Sequence, residues 1–331
     1  MMIAFAITVV SAIAFAAWIG AGQGLQSVMG IALPYAGLSL FLAGMLYRVI
    51  RWVKTPVPFN ISVTCGQQRS LPWVRPEPLD NPHNSLYTSA RMLVETFLFR
   101  SLFRNTRAGR NGAVIVYGSD KWLWLGSMAF HWMLLVISVR HLRLFIEPVP
   151  AWIDAFQQVD GIFSLGLPPL LISNVIIAAA LAYLFMRRVV NRKIASLSLF
   201  QDYFLLALVA AVVLSGMYVR YFGRVDLLAV KQFAIGLLSF QPVLPAGAAP
   251  FFYMHVVLVS VLAAAIPASK IVHLAGIFFS PTRNSAADSR RRRHVNPWNP
   301  PVAVHTYEEW EDEFRDRLVK SGYAVERDEH G

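Results

Sequence analysis

Apolar residues in this chain are gathered into blocks about as long as the hydrocarbon core of a bilayer is thick, roughly 20 residues each, and these blocks are bounded by charges, Gly and Pro. Six stand out: about 2 to 20, 29 to 53, 121 to 146, 165 to 187, 202 to 222 and 250 to 279. The pattern predicts an all-α, polytopic membrane protein with six transmembrane helices. The first block has no basic stretch ahead of its apolar run, so it reads as a retained helix rather than a signal peptide. Residues 54 to 120 form a long connection in which an apolar segment, 86 to 103, is broken only by Arg91, Glu95 and Arg100, as expected for a helix lying on the membrane surface. The tail, 281 to 331, is polar, yet Tyr307, Trp310, Phe314 and Leu318 recur at helical spacing and predict an amphipathic docking helix. The resulting division is an extra N-terminal helix with its turn (1–28), a second span (29–53), the long loop (54–120), four core spans (121–280) and the tail (281–331). No internal repeat is visible.

Composition sharpens this picture. The 331 residues are 56% hydrophobic and only 15% charged, against about 25% charged in soluble proteins. The formal net charge of +11 would suggest nucleic acid in a soluble chain, but here it follows from basic loops and implies no nucleic-acid partner. Lys and Arg concentrate in 54 to 121, between the fourth and fifth spans (Arg187, Arg188, Arg192, Lys193), and after the last span (Arg283, Arg290 to Arg293). The positive-inside rule places these regions, and both termini, on the cytoplasmic side.

With Cys65 as the single cysteine, the chain can build neither an internal disulfide, nor a four-thiolate iron–sulfur cluster, nor a c-type haem attachment. Cys65 itself, near Arg69, reads as structural. A redox metal here must be held by histidine or oxygen. Of eight histidines, His131 and His141 fall in the third span and His255 and His273 in the sixth, where an ionisable residue is rare and functional by default. His83, His294, His305 and His330 lie outside the spans and read as solvated.

Eighteen residues is five helical turns, so His255 and His273 would share one side, about 27 Å apart; His131 and His141 would be about 15 Å and roughly 80° apart. The two spans run in opposite directions, so His131 lies level with His273 and His141 with His255. That suits two stacked b haems with two imidazoles each, provided that about 12 Å of mismatch is absorbed, for which Pro267 offers a kink. Small residues near the ligands (Gly126, Ser127, Ala129, Ala263, Ala264, Ser269, Gly276) would leave room for macrocycle faces. Two imidazoles per iron leave no open position, which favours electron transfer over oxygen chemistry. One zinc or copper held by all four histidines fails on depth. A histidine proton relay and a haem-free anchor recruiting a cytoplasmic redox enzyme are the competing readings.

The ten-residue and eighteen-residue histidine pairs resemble the respiratory nitrate reductase gamma-subunit (NarI-like) family of dihaem membrane cytochromes b, over about residues 29 to 280. The segments 64–73 (Thr-Cys-Gly-Gln-Gln-Arg-Ser-Leu-Pro-Trp), 99–106 (Phe-Arg-Ser-Leu-Phe-Arg-Asn-Thr) and 307–314 (Tyr-Glu-Glu-Trp-Glu-Asp-Glu-Phe) are similar to the DsrM cytochrome subunits of DsrMKJOP complexes in dissimilatory sulfur metabolism. The resemblance implies a dihaem bundle of four or five helices in a prokaryotic inner membrane. It places a cytoplasmic-side haem on His131 and His273 and an outer one on His141 and His255. It further implies menaquinone or ubiquinone as mobile substrate, and a cytoplasmic DsrK-like iron–sulfur partner, resembling heterodisulfide reductase, among the other DsrMKJOP subunits. The chain would then be the quinone-reactive subunit of an oxidoreductase complex. For the quinone itself, Arg140, Arg143, Arg220 and Tyr253 are available near the outer level, each equally explained by propionate pairing, lipid headgroups or snorkelling.

Overall fold

A computed structural model describes residues 2–55, 77–112, 114–161, 170–223, 225–287 and 304–326. Cys65, the 64–73 segment, Arg224, Arg290 to Arg293, His294 and His330 lie outside the described residues. The chain is predominantly helical. Helix α1 (Met2–Gly22) carries no charge along its length. A π-helical turn, Val28–Ala32, leads into α2 (Leu33–Lys54), which has a proline in its first turn and, matching the negative end of the helix dipole, Arg51 and Lys54 in its last. The amphipathic α3 (Ser85–Leu98) starts at Asn84, whose side chain accepts the Tyr87 amide at 2.9 Å, and α4 (Arg100–Phe103) follows after Phe99.

Strands β1 (Thr106–Asn111) and β2 (Val114–Ser119) pair antiparallel, turning at Gly112 with φ 60°, a value that favours glycine at a hairpin turn. Then come α5 (Lys121–His141), α6 (Ala151–Asp160), α7 (Ile172–Val190), α8 (Arg192–Leu197), α9 (Phe200–Tyr221), α10 (Leu227–Leu238) and α11 (Pro250–Ala265). Short helices α12 (His273–Gly276) and α13 (Pro281–Asn284) and the tail helix α14 (Tyr307–Lys320) complete the chain.

Among the described residues five helices are long and apolar enough to cross a membrane: Met2–Gly22, Val28–Lys54, Lys121–Leu144, Ile172–Val190 and Phe200–Tyr221. A sixth span would be Pro250–Ala265 taken with Lys270–Phe279, which are bent by 72° at the break between them. Packing is sequential: α11 lies against α2, α1 and α9, α9 against α7, and α7 against α5. The buried core is made of modest clusters at these seams, such as Ile177, Leu181 and Val209 between α7 and α9. At the α2–α11 seam a Cβ on Gly37 would stand 2.6 Å from the Ser260 carbonyl oxygen. Backbone cannot retreat as a flexible side chain can, so Gly37→Leu is expected to prise the two helices apart. The expected cost is about 1 to 3 kcal/mol, measured as a lower thermal midpoint of the detergent-purified chain. An unchanged midpoint would mean that this contact contributes nothing.

Three expectations need correction. The common helical face of His255 and His273 assumed one continuous helix; α11 stops at Ala265 and the path resumes at Lys270 in another direction. Pro267 sits in this break, where its missing N–H and ring prevent continuation. From His255 only about ten residues, roughly 15 Å, of α11 remain before the helix ends at Ala265, so the separation of about 27 Å in a continuous helix does not apply. Second, the long connection is not wholly helix and loop, since it contains the β1–β2 hairpin, and the connections after α5 and α9 hold α6 and α10. Third, Gly126 faces the Tyr183 ring, where a Cβ would stand 2.5 Å from it, and Gly276 lies against Trp52, so these two serve helix contacts.

Candidate functional site: two histidine pairs in a helical bundle

The histidine Nδ1 atoms decide what these side chains can do. His131 lies 2.7 Å from the Ser127 carbonyl, His141 2.7 Å from that of Ile137, and His273 2.8 Å from that of Lys270. A carbonyl only accepts, so each Nδ1 carries the proton. The fourth case follows from a third group. The Ser215 hydroxyl donates to the Val212 carbonyl at 3.0 Å and lies 2.9 Å from the His255 Nδ1. Its one hydrogen is committed, so His255 donates to it. In all four rings Nδ1 is engaged and Nε2 has no hydrogen-bond partner among the described residues, the arrangement that metal-ligating histidines adopt.

The rings also pair. His131 and His273 have centroids 6.0 Å apart at an interplanar angle of 73°. Two imidazoles at this separation would hold one iron between them, so the donor set fits a haem group. His141 and His255 lie within electrostatic range of each other. Among the described residues no three or more His, Cys, Asp or Glu side chains converge as a metal site, so pairs are the largest sets available.

Each pair has a local cradle that sequence reasoning missed. A Cβ on Gly216 would stand 3.0 Å from the His255 ring, so α9 presents Ser215 to bond that ring and Gly216 to admit it. A polar and small dipeptide inside an apolar span was the available signal. At the other end His131 is flanked edge-on by Phe130 and Phe99, with centroids 4.9 and 5.0 Å away. Phe99 is held at φ 50° and ψ 46°, a left-handed conformation costly for an aromatic residue. The α3 helix that delivers it is tied to α5 by two indoles, Trp124 donating to the Leu98 carbonyl at 2.8 Å and Trp132 to that of Phe97 at 3.1 Å. These satisfy carbonyls that a helix end leaves free.

His273 is placed by the break. Arg48 of α2 donates to the Pro267 carbonyl at 2.9 Å, Gln201 of α9 to that of Ala268 at 3.3 Å, and Ser269 caps the Ile271 amide. Lys270 pairs with Asp202 at 2.6 Å.

At the His141 end, Arg140 is committed to Asp160 at 2.5 Å and to the Ser173 hydroxyl at 3.1 Å. Asp160 also accepts the Ser173 amide at 2.7 Å and hydroxyl at 2.6 Å, holding the N-terminus of α7, where a carboxylate is favoured by the dipole. Arg143 donates to Gln157. Arg140, Arg143 and Arg220 all stand within electrostatic range of His141. Tyr253 is not joined to them by any hydrogen bond among the described residues; it is buried in the apolar cluster with Met29, Phe233 and Phe252. Of the histidines outside the spans, His305 is exposed, whereas His83 is half-buried against Tyr87 with its Nδ1 unpartnered, so the solvated reading fails for it.

The nitrate reductase gamma subunit family matches residues 103–284. The chain is similar to a protein named Hdr-like menaquinol oxidoreductase cytochrome b-like subunit in Archaeoglobus fulgidus, 38% identical over 280 residues, covering 82% of this chain and 84% of the relative. It is likewise similar to the protein of the same name in Archaeoglobus profundus, 41% identical over 281 residues, covering 81% and 82%. With several apolar helices long enough to cross a bilayer, the chain belongs to the nitrate reductase gamma subunit family of multi-pass membrane proteins.

Proposed function

We propose that this chain is a dihaem b cytochrome subunit that passes electrons between membrane menaquinone and a cytoplasmic iron–sulfur partner of a heterodisulfide-reductase-like complex in dissimilatory sulfur metabolism. The observation that carries the reading is the set of four intramembrane imidazoles, each with its Nδ1 proton engaged and its Nε2 free. His131 with His273, and His141 with His255, would hold one iron each. The bound haems would supply one-electron transfer between two levels about 15 Å apart along α5. The protein's own part is to fix ligand tautomer and ring direction through Ser127, Ile137, Lys270 and Ser215, and to offer each iron two imidazoles.

The names of the relatives favour menaquinol over ubiquinol. The basic 54 to 121 connection favours a cytoplasmic location for the His131 end and for both termini. On the tail helix, Tyr307, Trp310 and Phe314 form a stack with successive centroids 5.8 Å apart and Thr306 and Glu309 close a capping box. This aromatic stripe on an acidic helix supports docking of a DsrK-like subunit.

The test is a pyridine haemochrome assay with a reduced-minus-oxidised spectrum on the detergent-purified full chain. The expected result is about two b haems per polypeptide, reducible by a menaquinol analogue. A colourless chain would refute the reading and favour the haem-free anchor.

A further inference from the structure

The three arginines around His141 are not equivalent. Arg140 is neutralised by Asp160, with the two side chains only 10% and 4% exposed. Arg143 is bonded to the neutral Gln157, with Asp154 in electrostatic range. Among the described residues Arg220 makes no hydrogen bond or ion pair: its guanidinium carbon lies 5.8 Å from the Tyr221 ring, and its Nε is buried without a partner. A half-buried guanidinium with an unmet donor at the end of a membrane span is costly unless an anion meets it.

Its position says which anion. Arg220 is four residues beyond Gly216 on α9, so the two share a helix face about 6 Å apart along the axis. Gly216 is the residue against the His255 ring. Arg220 therefore projects from the same face one turn nearer the end of the bundle, where the guanidiniums of Arg140 and Arg143 also lie. A tetrapyrrole seated between His141 and His255 carries its two carboxylates on one edge, and the cationic end of the bundle is where that edge is best stabilised.

We infer that Arg220, assisted by Arg143, is the carboxylate-binding edge of the His141–His255 site and receives the haem propionates rather than a quinone. The inference rests on the dihaem reading. Arg140 has a different part, holding Asp160 and through it the start of α7.

The experiment is a potentiometric titration of the full chain in detergent, with haem content measured in parallel, for wild type, Arg220→Gln, Arg143→Gln and Arg220→Lys. Removing a positive charge beside an iron favours the ferric state. In Arg220→Gln one of the two potentials should fall, by about tenfold in the reduced-to-oxidised ratio, about 59 mV for one electron. The other potential should stay, and Arg220→Lys should recover most of the loss. If Arg220→Gln sheds that haem, Arg143→Gln and Arg220→Lys carry the comparison. Two haems with unmoved potentials in the haem-retaining variants would overturn the inference alone. So would unmoved potentials accompanied by loss of stabilisation by added phosphatidylglycerol, which would assign Arg220 to a lipid headgroup. A wild-type chain without haem would overturn the dihaem reading itself.

Discussion

Replacement of His255 by alanine is expected to remove one of two b haems and leave the other spectrally intact. His255 and His141 stand at one level of the bundle and His131 and His273 at another, separated along α5 by ten residues, about 15 Å, and no residue is shared between the two sets of hydrogen bonds that orient them. Loss of His255 would leave His141 as the single imidazole at that level and the Ser215 hydroxyl without its ring partner. The His131 end keeps its ring contact with His273, its Ser127 hydrogen bond and its Phe99 and Phe130 flanks. The haemochrome yield per chain should therefore fall from about two to about one. His131→Ala should give the complementary loss with a different residual spectrum, and the double variant should be colourless. His305→Ala, at an exposed ring, is the control that should keep both. Two haems retained in His255→Ala would remove that histidine from the ligand set.

The second large effect concerns stability. Arg140→Ala would strand Asp160, 6% exposed, in a site where it still accepts two bonds from Ser173 but faces no countercharge. Breaking a buried pair in this way costs about 3 to 5 kcal/mol, far more than the net worth of the pair itself. A marked fall in the midpoint of thermal or SDS unfolding of the purified chain is expected. The double variant Arg140→Ala/Asp160→Asn should recover much of it, because the neutral amide no longer needs a cation, and the non-additivity measures the coupling. Simple addition of the two single effects would show that the ion pair is not what holds α6 to the start of α7.

Much of this architecture could be read from residue order, for physical reasons. A bilayer demands long apolar helices, so the spans were visible as blocks, and ionisable rings inside such blocks stand out against Leu, Val and Ala. Pro267 marked the place of the break but not its 72° bend, nor the donors from α2 and α9 that meet the carbonyls of residues 267 and 268. The Arg140–Asp160–Ser173 clamp joins residues 20 and 33 positions apart, a separation at which no periodicity links them. Ser215 and Gly216 were hidden because small residues are common wherever helices touch. The β1 strand, Thr-Arg-Ala-Gly-Arg-Asn, is poor in strand-forming side chains and reads as loop; only Val-Ile-Val-Tyr in β2 after Gly112 pointed to a hairpin.

The break after Ala265 ties the two pairs to different parts of the bundle. His255 sits on regular helix and is held locally by α9 through Ser215 and Gly216. His273 follows a turn whose carbonyls are met by donors from two other helices, Arg48 on α2 and Gln201 on α9. A disturbance of α2 would therefore reach the His131–His273 pair through the backbone of residues 267 and 268.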